Sequence, residues 1–173
     1  AGQQAVQEHL DRCGITAEVF ANSRGYYTVE YALPEISPLV TIIIPTRDNL
    51  EVLQSCIESL FEKTSYQNFE VLVVDNGSTC PHTLSYLSEQ CRTRNISVVR
   101  DERPFNFSSL NNVGVKNARG DLILLLNNDT TVINPDWLSN MVATGLNPGV
   151  GVVGARLLYP DNTVQHAGLV VGI

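Results

Sequence analysis

Residues 38–49 read PLVTIIIPTRDN, an unbroken run from Leu39 to Ile44 that halts at Pro45, Thr46, Arg47, Asp48 and Asn49. A continuous aliphatic and β-branched run, with no polar alternation, is the pattern of a strand covered on both faces. The same grammar recurs downstream. FEVLVVDNGST, residues 69–79, runs apolar to Val74 and then turns to Asp75, Asn76, Gly77 and Ser78. DLILLLNNDTT, residues 121–131, stops at Asn127, Asn128 and Asp129. Three successive amide and carboxylate side chains are poor strand formers and costly to bury unpaired. They either form a turn or face a cleft where something polar binds.

Helical segments fill the spaces between these runs. Asn49 can cap a helix marked by Leu50, Leu53, Ile57, Leu60 and Phe61. Leu84, Leu87 and Cys91 mark a second helix, and ISVV supplies a further strand. Ser108 to Ala118 is predicted helical, with Leu110, Val113 and Gly114 inward and Gly120 as the stop. NPDWLSNMVATG has Asn134 as cap, Pro135 at the first helical position and Gly145 at the end. VGVVGARLLY, the turn PDN and TVQHAGLVVGI read as extended. Strand alternating with helix predicts an α/β fold, a mostly parallel sheet with helices on both faces. In such sheets ligands bind beyond the carboxyl ends of the strands. Polar clusters at three of the four strand ends are therefore expected to line one shared cleft.

The chain before Pro38 differs. Gln3 to Cys13 carries Val6, Leu10 and Cys13 at helical spacing, and TAEVF with YYTVEY flank the turn residues ANSRG as a hairpin. LPEISP, with two prolines around a polar stretch, reads as a linker. The expected organisation is a small α+β segment with linker over residues 1–38 and an α/β domain over 39–173.

The chain has 173 residues, 43% of them hydrophobic and 17% charged, an ordinary globular composition. Eighteen acidic residues against eleven basic ones give a net charge of −7. That balance argues against a nucleic-acid partner, which needs a Lys and Arg footprint. An anionic ligand would need a metal ion, a helix N-terminus or a few placed cations. No apolar run reaches the length of a membrane span and no signal peptide precedes the domain. The start at Ala1 without Met and the end inside an apolar stretch read as a piece of something longer. Cys13, Cys56, Cys80 and Cys91 show no metal-ligand spacing. Cys56 reads as a buried free thiol, favoured over a Cys80–Cys91 disulfide as the chain's cysteine feature, and the compartment reads as cytoplasmic. The literal N-x-S/T matches at Asn95, Asn106 and Asn128 are short patterns of little weight.

GVGVVG, residues 149–154, is a literal GxGxxG that lacks a strand before it and a helix after it, so a dinucleotide fingerprint is rejected. Its glycines are expected to permit a bend or close packing within a strand. No GxxxxGK[ST] exists. Asp75 is either a turn former or a carboxylate that accepts hydrogen bonds from a base or ribose. Asp129 is either a turn residue or a ligand of Mg²⁺ or Mn²⁺, which often take one or two carboxylates and complete their shell with substrate phosphates. Asn106 and Asn112 flank a helix start, where Asn usually caps but where an anion is also favoured. Arg47 is the better-placed cation for a diphosphate, Lys116 and Arg119 read as solvated charges, and His166, after a hairpin, as structural.

PLVTIIIPTRDN, FEVLVVDNGST, LNNVGVKNARGDLILLLNND and VGARLLYPDNTVQHAG, in this order, resemble the family 2 glycosyltransferases of GT-A fold. The resemblance runs from Pro38 to the end. It implies that the strand ends hold a nucleoside-diphosphate sugar, UDP- or dTDP-linked. It implies that Asp75 binds the base, that Pro45, Thr46, Arg47 and Asp48 line the nucleoside pocket with Asn106 and Asn112 at its border, and that Asp129 ligates the metal. Asn127 and Asn128 stand where the family's Asp-X-Asp-type motif has its leading acids; amides bind ribose hydroxyls but bring no charge. The LLNNDT variant is similar to bacterial enzymes of surface polysaccharides, including rhamnosyltransferase-like members. Family members invert the anomeric centre, an Asp or Glu of the acceptor half deprotonating a saccharide or lipid-linked acceptor. That base normally follows the QHAG region. The expectation is a donor-site fragment, without the base and inactive alone, working at the inner face of a membrane through the full-length protein. The alternatives are a non-catalytic nucleotide- or glycan-binding module and a nucleotidyltransferase, though the latter calls for a Gly- and basic-rich loop where PTRDN stands.

Overall fold

From the N-terminus the chain forms α1 (Gly2–Arg12), β1 (Ala17–Ala21), β2 (Tyr27–Tyr31), β3 (Val40–Thr46), α2 (Leu50–Lys63) and β4 (Phe69–Asp75). Then follow α3 (Pro81–Thr93), β5 (Ile96–Arg100), α4 (Phe107–Asn117), β6 (Leu122–Leu125) and α5 (Trp137–Gly145). Two short strands, β7 (Leu157–Leu158) and β8 (Val164–His166), close the sequence of elements in a computed structural model that describes residues 2–168. By contact density the chain divides into two compact units, Ile36–Pro135 and Ala1–Glu35 with Asp136–Ile173.

The unit Ile36–Pro135 is the expected α/β fold. Its four strands are all parallel, in the order β5-β4-β3-β6. The sequence PLVTIIIP lies at the centre, where every residue of β3 is buried. Ile42, Ile43 and Ile44 are 0% exposed, and burial on this scale stabilises by about 1.5–3 kcal/mol per side chain. Ile43, Leu72 and Val74 pack with Leu110 of α4 on one face. Ile42, Ile44, Val71 and Val73 face the other way and are equally buried. α3 packs on β5 and on α2, whose Leu53, Ile57 and Leu60 are also 0% exposed. A Cβ at Gly114 would overlap the Ile43 side chain, so glycine there is what lets α4 lie close to β3.

Pro45 decides where the sheet opens. Ile43 O accepts the Leu126 N–H at 2.9 Å, so alternate residues of β3 aim their main chain at β6. Pro45 is the next such residue and has no N–H to offer. Pairing with β6 accordingly ends at Ile43↔Leu125, while pairing with β4 continues to Thr46↔Asp75. The chain runs outward from β3 to β4 and β5, then crosses to β6. The β3–β6 boundary is therefore the topological switch point at which such sheets bind ligands.

At the opposite end of the sheet, Arg119 keeps 71% of its side chain exposed, the solvated charge its position in the sequence implied, and is also paired. It lies past the end of α4 and pairs with Glu70, which is 3% exposed. Thr41 Oγ1 donates to the same carboxylate at 2.8 Å. Burial pushes the Glu70 carboxyl up, but the bonds from Arg119 and Thr41 outweigh it and the net direction is down. Gly120 does not stop α4, which ends at Asn117. A Cβ there would strike the Thr41 N and the Leu39 carbonyl, so its role is close approach to β3.

Other local expectations also shift. The inward face of α3 is Thr83, Leu87 and Gln90, because Leu84 and Cys91 point outward. Asn49 precedes α2 in left-handed conformation without a side-chain cap bond. All four cysteines are free, and Cys56 is buried as expected.

The other unit contains α1, the β1–β2 hairpin, α5 and the β7–β8 hairpin. Leu10, Ala17 and Val19 form its small core with Val6, Ile15, Val29 and Tyr31 around them. Cys13 lies beyond the helix and is exposed. The Gln7 amide donates to Ala17 O at 2.9 Å and accepts from Val19 N at 3.1 Å, standing in for a neighbouring strand at the edge of β1. α5 begins at Trp137 after Asp136, two residues later than an Asn134 cap implies. Gly149 to Gly154 follows α5 and precedes β7, the reverse of a fingerprint turn's strand and helix; it is irregular, with Gly149 at φ 85, rather than a bend within a strand. His166 ends β8 instead of following it and is exposed. Residues 169–173 of the expected extended tail lie outside the described residues.

Candidate functional site

At the end of β3, Asp48 and Asn49 both take positive φ, 52 and 51. Asp and Asn are the residues other than glycine that visit this region most readily. The turn aims the Asp48 carboxylate at the loop after β4. Its Oδ1 accepts the Thr79 N–H at 2.9 Å and the Cys80 N–H at 2.8 Å, while its own N–H donates to Ser78 Oγ at 2.7 Å. The Cys80 N–H, against some desolvation, then the Thr79 N–H and the charges of Arg47 and Arg100, hold the carboxyl below its usual range. Arg47 is exposed beside it. Thr46 is 4% exposed, and its carbonyl accepts the Asn76 N–H at 2.8 Å.

At the end of β4, Asp75 is 2% exposed and both its oxygens are engaged. Oδ1 accepts the Ser78 N–H at 2.9 Å, and Oδ2 accepts Arg100 Nη1 at 2.7 Å. The register Asp75↔Arg100 makes this pair inevitable once β4 and β5 align. Arg100 also donates to the Ser78 carbonyl from both terminal nitrogens at 3.1 Å, and its Nε donates to Glu102 at 2.9 Å. Its side chain keeps 41% of its surface exposed. Arg100 is the candidate that reading the sequence missed, whereas Asn76 was read as part of the strand-end cluster. Arg100 was signalled by its place as the last residue of ISVVR, the one strand end given no polar candidate. Asn76 donates to the carbonyls of Asp101 and Arg103 at 2.9 Å each, and its Oδ1 is buried without a partner.

The end of β6 is built differently. After Leu126 the chain turns at Asn128 and Asp129, with Thr130 Oγ1 donating to the Asn127 carbonyl at 2.9 Å. Asn128 Nδ2 donates to Thr46 Oγ1 at 3.1 Å, tying this turn to the end of β3. Asn127 and Asp129 are exposed, and Asp129 is in none of the ion pairs found among the described residues. A turn is thus present, and it holds a carboxylate out to solvent.

Asn106 caps α4, its Oδ1 accepting the Ser109 N–H at 2.9 Å. Asn112 lies on the exposed side of α4. The neighbouring Asn111 is the buried one, with Nδ2 on the Phe107 carbonyl at 2.9 Å and Oδ1 unpartnered. The structure therefore ties Thr46, Asp48, Asp75 and Asn128 into one bonded set. Pro45 opens the sheet beside it, and Arg47, Asn127 and Asp129 are exposed at the same strand ends. It shows no bond from Asn106 or Asn112 to that set.

Among the described residues no group of three His, Cys, Asp or Glu stands ready to hold a cation. The exposed carboxylate of Asp129, with amide side chains beside it in sequence, fits instead a hard divalent ion that is held by one or two carboxylates and completes its shell with substrate phosphates and waters. A shallow groove of about 420 Å³ runs along α2 past Glu58, Ser59, Lys63 and Thr131. It contains none of the strand-end donors.

The chain belongs to glycosyl transferase family 2, whose model matches residues 41–168. It is 48% identical, over its whole length, to an uncharacterized protein y4gI of Sinorhizobium fredii, of which it spans 19%. It is 43% identical, again over its whole length, to the O-antigen biosynthesis protein RfbC of Myxococcus xanthus, of which it spans 13%. The chain thus spans less than a fifth of either relative. Among solved structures, the mannosyltransferase PcManGT from Pyrobaculum calidifontis, determined with GDP-Man and Mn2+, shares the fold with a TM-score of 0.65 at 24% identity. That match covers 75% of this chain and 38% of the other. Residues 1–349 of S. aureus TarS match with a TM-score of 0.54 at 28% identity, covering 61% of this chain and 32% of that one.

Proposed function

We propose that this chain carries the nucleoside-diphosphate-sugar site of a glycosyltransferase that builds a surface polysaccharide, with residues 39–173 as the donor-binding domain. The observation that carries the reading is the bonded set at the switch point. Three adjacent strand ends, β4, β3 and β6, present polar groups at the one place where the sheet opens. Family membership supports the reaction class, and the 43% identity to an O-antigen biosynthesis protein supports a saccharide or lipid-linked acceptor. No helix of the described residues is long and apolar enough to cross a membrane. We place the work on the cytoplasmic side, where nucleotide sugars are made.

In this reading Thr46, Arg47 and Asp48 border the nucleoside, with Asn106 and Asn112 at the entrance. Asp75 acts together with Arg100, whose exposed guanidinium face meets the ligand while the buried carboxylate fixes its angle. Asn127 and Asn128 hydrogen-bond the ribose hydroxyls. Asp129 would hold a Mg²⁺ or Mn²⁺ ion, which when bound offsets the negative charge of the diphosphate. The acceptor oxygen displaces the nucleoside diphosphate from the anomeric carbon with inversion, and no residue of this chain is assigned as its base. With a net charge of −7, the protein needs such a local device to attract an anion. Calorimetric titration with UDP, dTDP and GDP and their sugars, with and without Mn²⁺, tests the reading. The expected result is binding of at least one nucleoside diphosphate that strengthens with the ion. No binding of any of them overturns it.

A further inference from the structure

The turn at the end of β6 is gripped from beneath by one face of α2. Cys56, Ser59 and Lys63 stand at positions i, i+3 and i+7 of that helix, a single stripe. Cys56 Sγ reaches the Asn127 carbonyl at 3.8 Å and Thr130 Oγ1 at 4.0 Å. Ser59 Oγ donates to the Cys56 carbonyl at 2.9 Å, which turns its lone pair outward to accept the Val132 N–H at 3.0 Å. Lys63 Nζ donates to the Val132 carbonyl at 3.1 Å. Both main-chain groups of Val132 are therefore taken by side chains of α2. The segment from Asn127 to Val132, with Asp129 in its middle, has no strand ladder of its own and takes its position from these bonds together with the Asn128–Thr46 bond to β3.

Cys56 suits this task. It is 1% exposed, and burial pushes its thiol up to about 11, so it stays a neutral S–H donor at any working pH. Ser59 is 6% exposed, and a hydroxyl so deep in the α2 face needs the Val132 N–H as much as that N–H needs it.

We propose that Cys56, Ser59 and Lys63 are positioning residues that set the height and angle of Asp129 and so tune the affinity of the donor site for its divalent ion. The proposal rests on the reading of Asp129 given above. Outer partners that orient a metal ligand typically change metal affinity by about 10-fold or more when removed.

The experiment compares wild type with Ser59→Ala, Cys56→Ala and the conservative Cys56→Ser. Nucleoside-diphosphate affinity is measured with and without Mn²⁺, and amide hydrogen exchange is followed over residues 127–132. Ser59→Ala and Cys56→Ala should each weaken the Mn²⁺-dependent part of binding by about 10-fold and speed exchange at Val132, while metal-free affinity changes less than twofold. Cys56→Ser keeps a donor and should recover most of the Mn²⁺ effect. A role in stability alone would lower metal-free and metal-dependent binding together, and that result overturns the proposal. So does an unchanged Mn²⁺ effect in both alanine variants when wild type shows one. If wild type binds nucleotide but ignores Mn²⁺, the reading of Asp129 has failed and this proposal falls with it.

Discussion

The ends of β4 and β6 carry similar sequences, DNGS and NNDT, and do opposite things with them. At β4 the carboxylate of Asp75 is buried and saturated, held by the Ser78 N–H and by Arg100. At β6 the carboxylate of Asp129 is exposed and outside the ion pairs of the described residues. One strand end is a finished wall and the other an open hand. The difference follows from sheet position. β4 lies between β5 and β3, so its end is enclosed by neighbours on both sides. β6 is an edge strand, with Pro45 ending its pairing early. The carboxylate at the interior strand end is therefore recruited into the protein's own hydrogen bonds, whereas the one at the edge stays exposed.

The strongest way to break this comparison is Asp75→Ala. If Asp75 is part of the wall, its removal strands the buried Ser78 N–H and frees Arg100. The expected loss of stability is about 2–3 kcal/mol, from hydrogen bonds to a charged group, and nucleotide binding should fall with it. Urea denaturation measures the first and calorimetry the second. A variant as stable as wild type would place Asp75 with Asp129 among the open groups.

Asp129→Asn probes the other side. Stability should stay within about 0.5 kcal/mol of wild type, as for an exposed residue without partners. The Mn²⁺-dependent enhancement of nucleoside-diphosphate binding should disappear, and metal-free affinity should persist. An equal response to Mn²⁺ in both proteins would make Asp129 a turn residue only.

How much of this was legible beforehand follows the same division. The parallel sheet could be read from Leu39–Ile44, Phe69–Val74 and Leu122–Leu126 because β3 and β4, buried on both faces, leave near-continuous apolar runs, and β6 carries the same kind of run although its Ile123 and Leu125 are exposed. The strand ends could be read because polar residues cannot continue such a run. What could not be read was which carboxylate is occupied. The partner of Asp75 is Arg100, 25 residues later, supplied by a neighbouring strand whose register no local pattern reveals. The same holds for Arg119 with Glu70, 49 residues apart. Asn111 and Asn112 show the limit on a helix: one residue of rotation decides which amide is buried, and the inward positions Leu110 and Gly114 are compatible with either.

Acid should also test the β4 side. Asp101 belongs to the β4 side, where its N–H donates to the Asp75 carbonyl at 2.9 Å and its own carbonyl accepts from Asn76. Bonds from the Arg103 side chain, then its N–H, lower the Asp101 carboxyl from 3.8 to about 2. A lowered folded-state value contributes stability that is complete above the unfolded value and is lost as pH falls through the folded one. The window here is pH 4 down to 2. Asp101→Asn should flatten the fall of the denaturation midpoint across that window. Identical acid profiles for Asp101→Asn and wild type would remove Asp101 from the wall.

The smallest expected effect concerns the one bond that joins the open turn to the enclosed strand end. Asn128 Nδ2 donates to Thr46 Oγ1 at 3.1 Å, and Thr46 in turn receives the Asn76 N–H from the β4 side. If the turn is coupled to the wall, Thr46→Val and Asn128→Ala should not add. Thr46→Val keeps the shape of a residue that is 4% exposed and removes only the hydroxyl. A neutral hydrogen bond of this kind contributes about 0.5–1.5 kcal/mol, so the double-mutant cycle should return a coupling of about 0.5–1 kcal/mol. Measured with nucleotide bound, the coupling should grow, because a ligand spanning both ends holds the turn against β3. A coupling of zero in the free protein and in the complex would mean that the two strand ends act independently, and that the open turn takes its position from α2 alone.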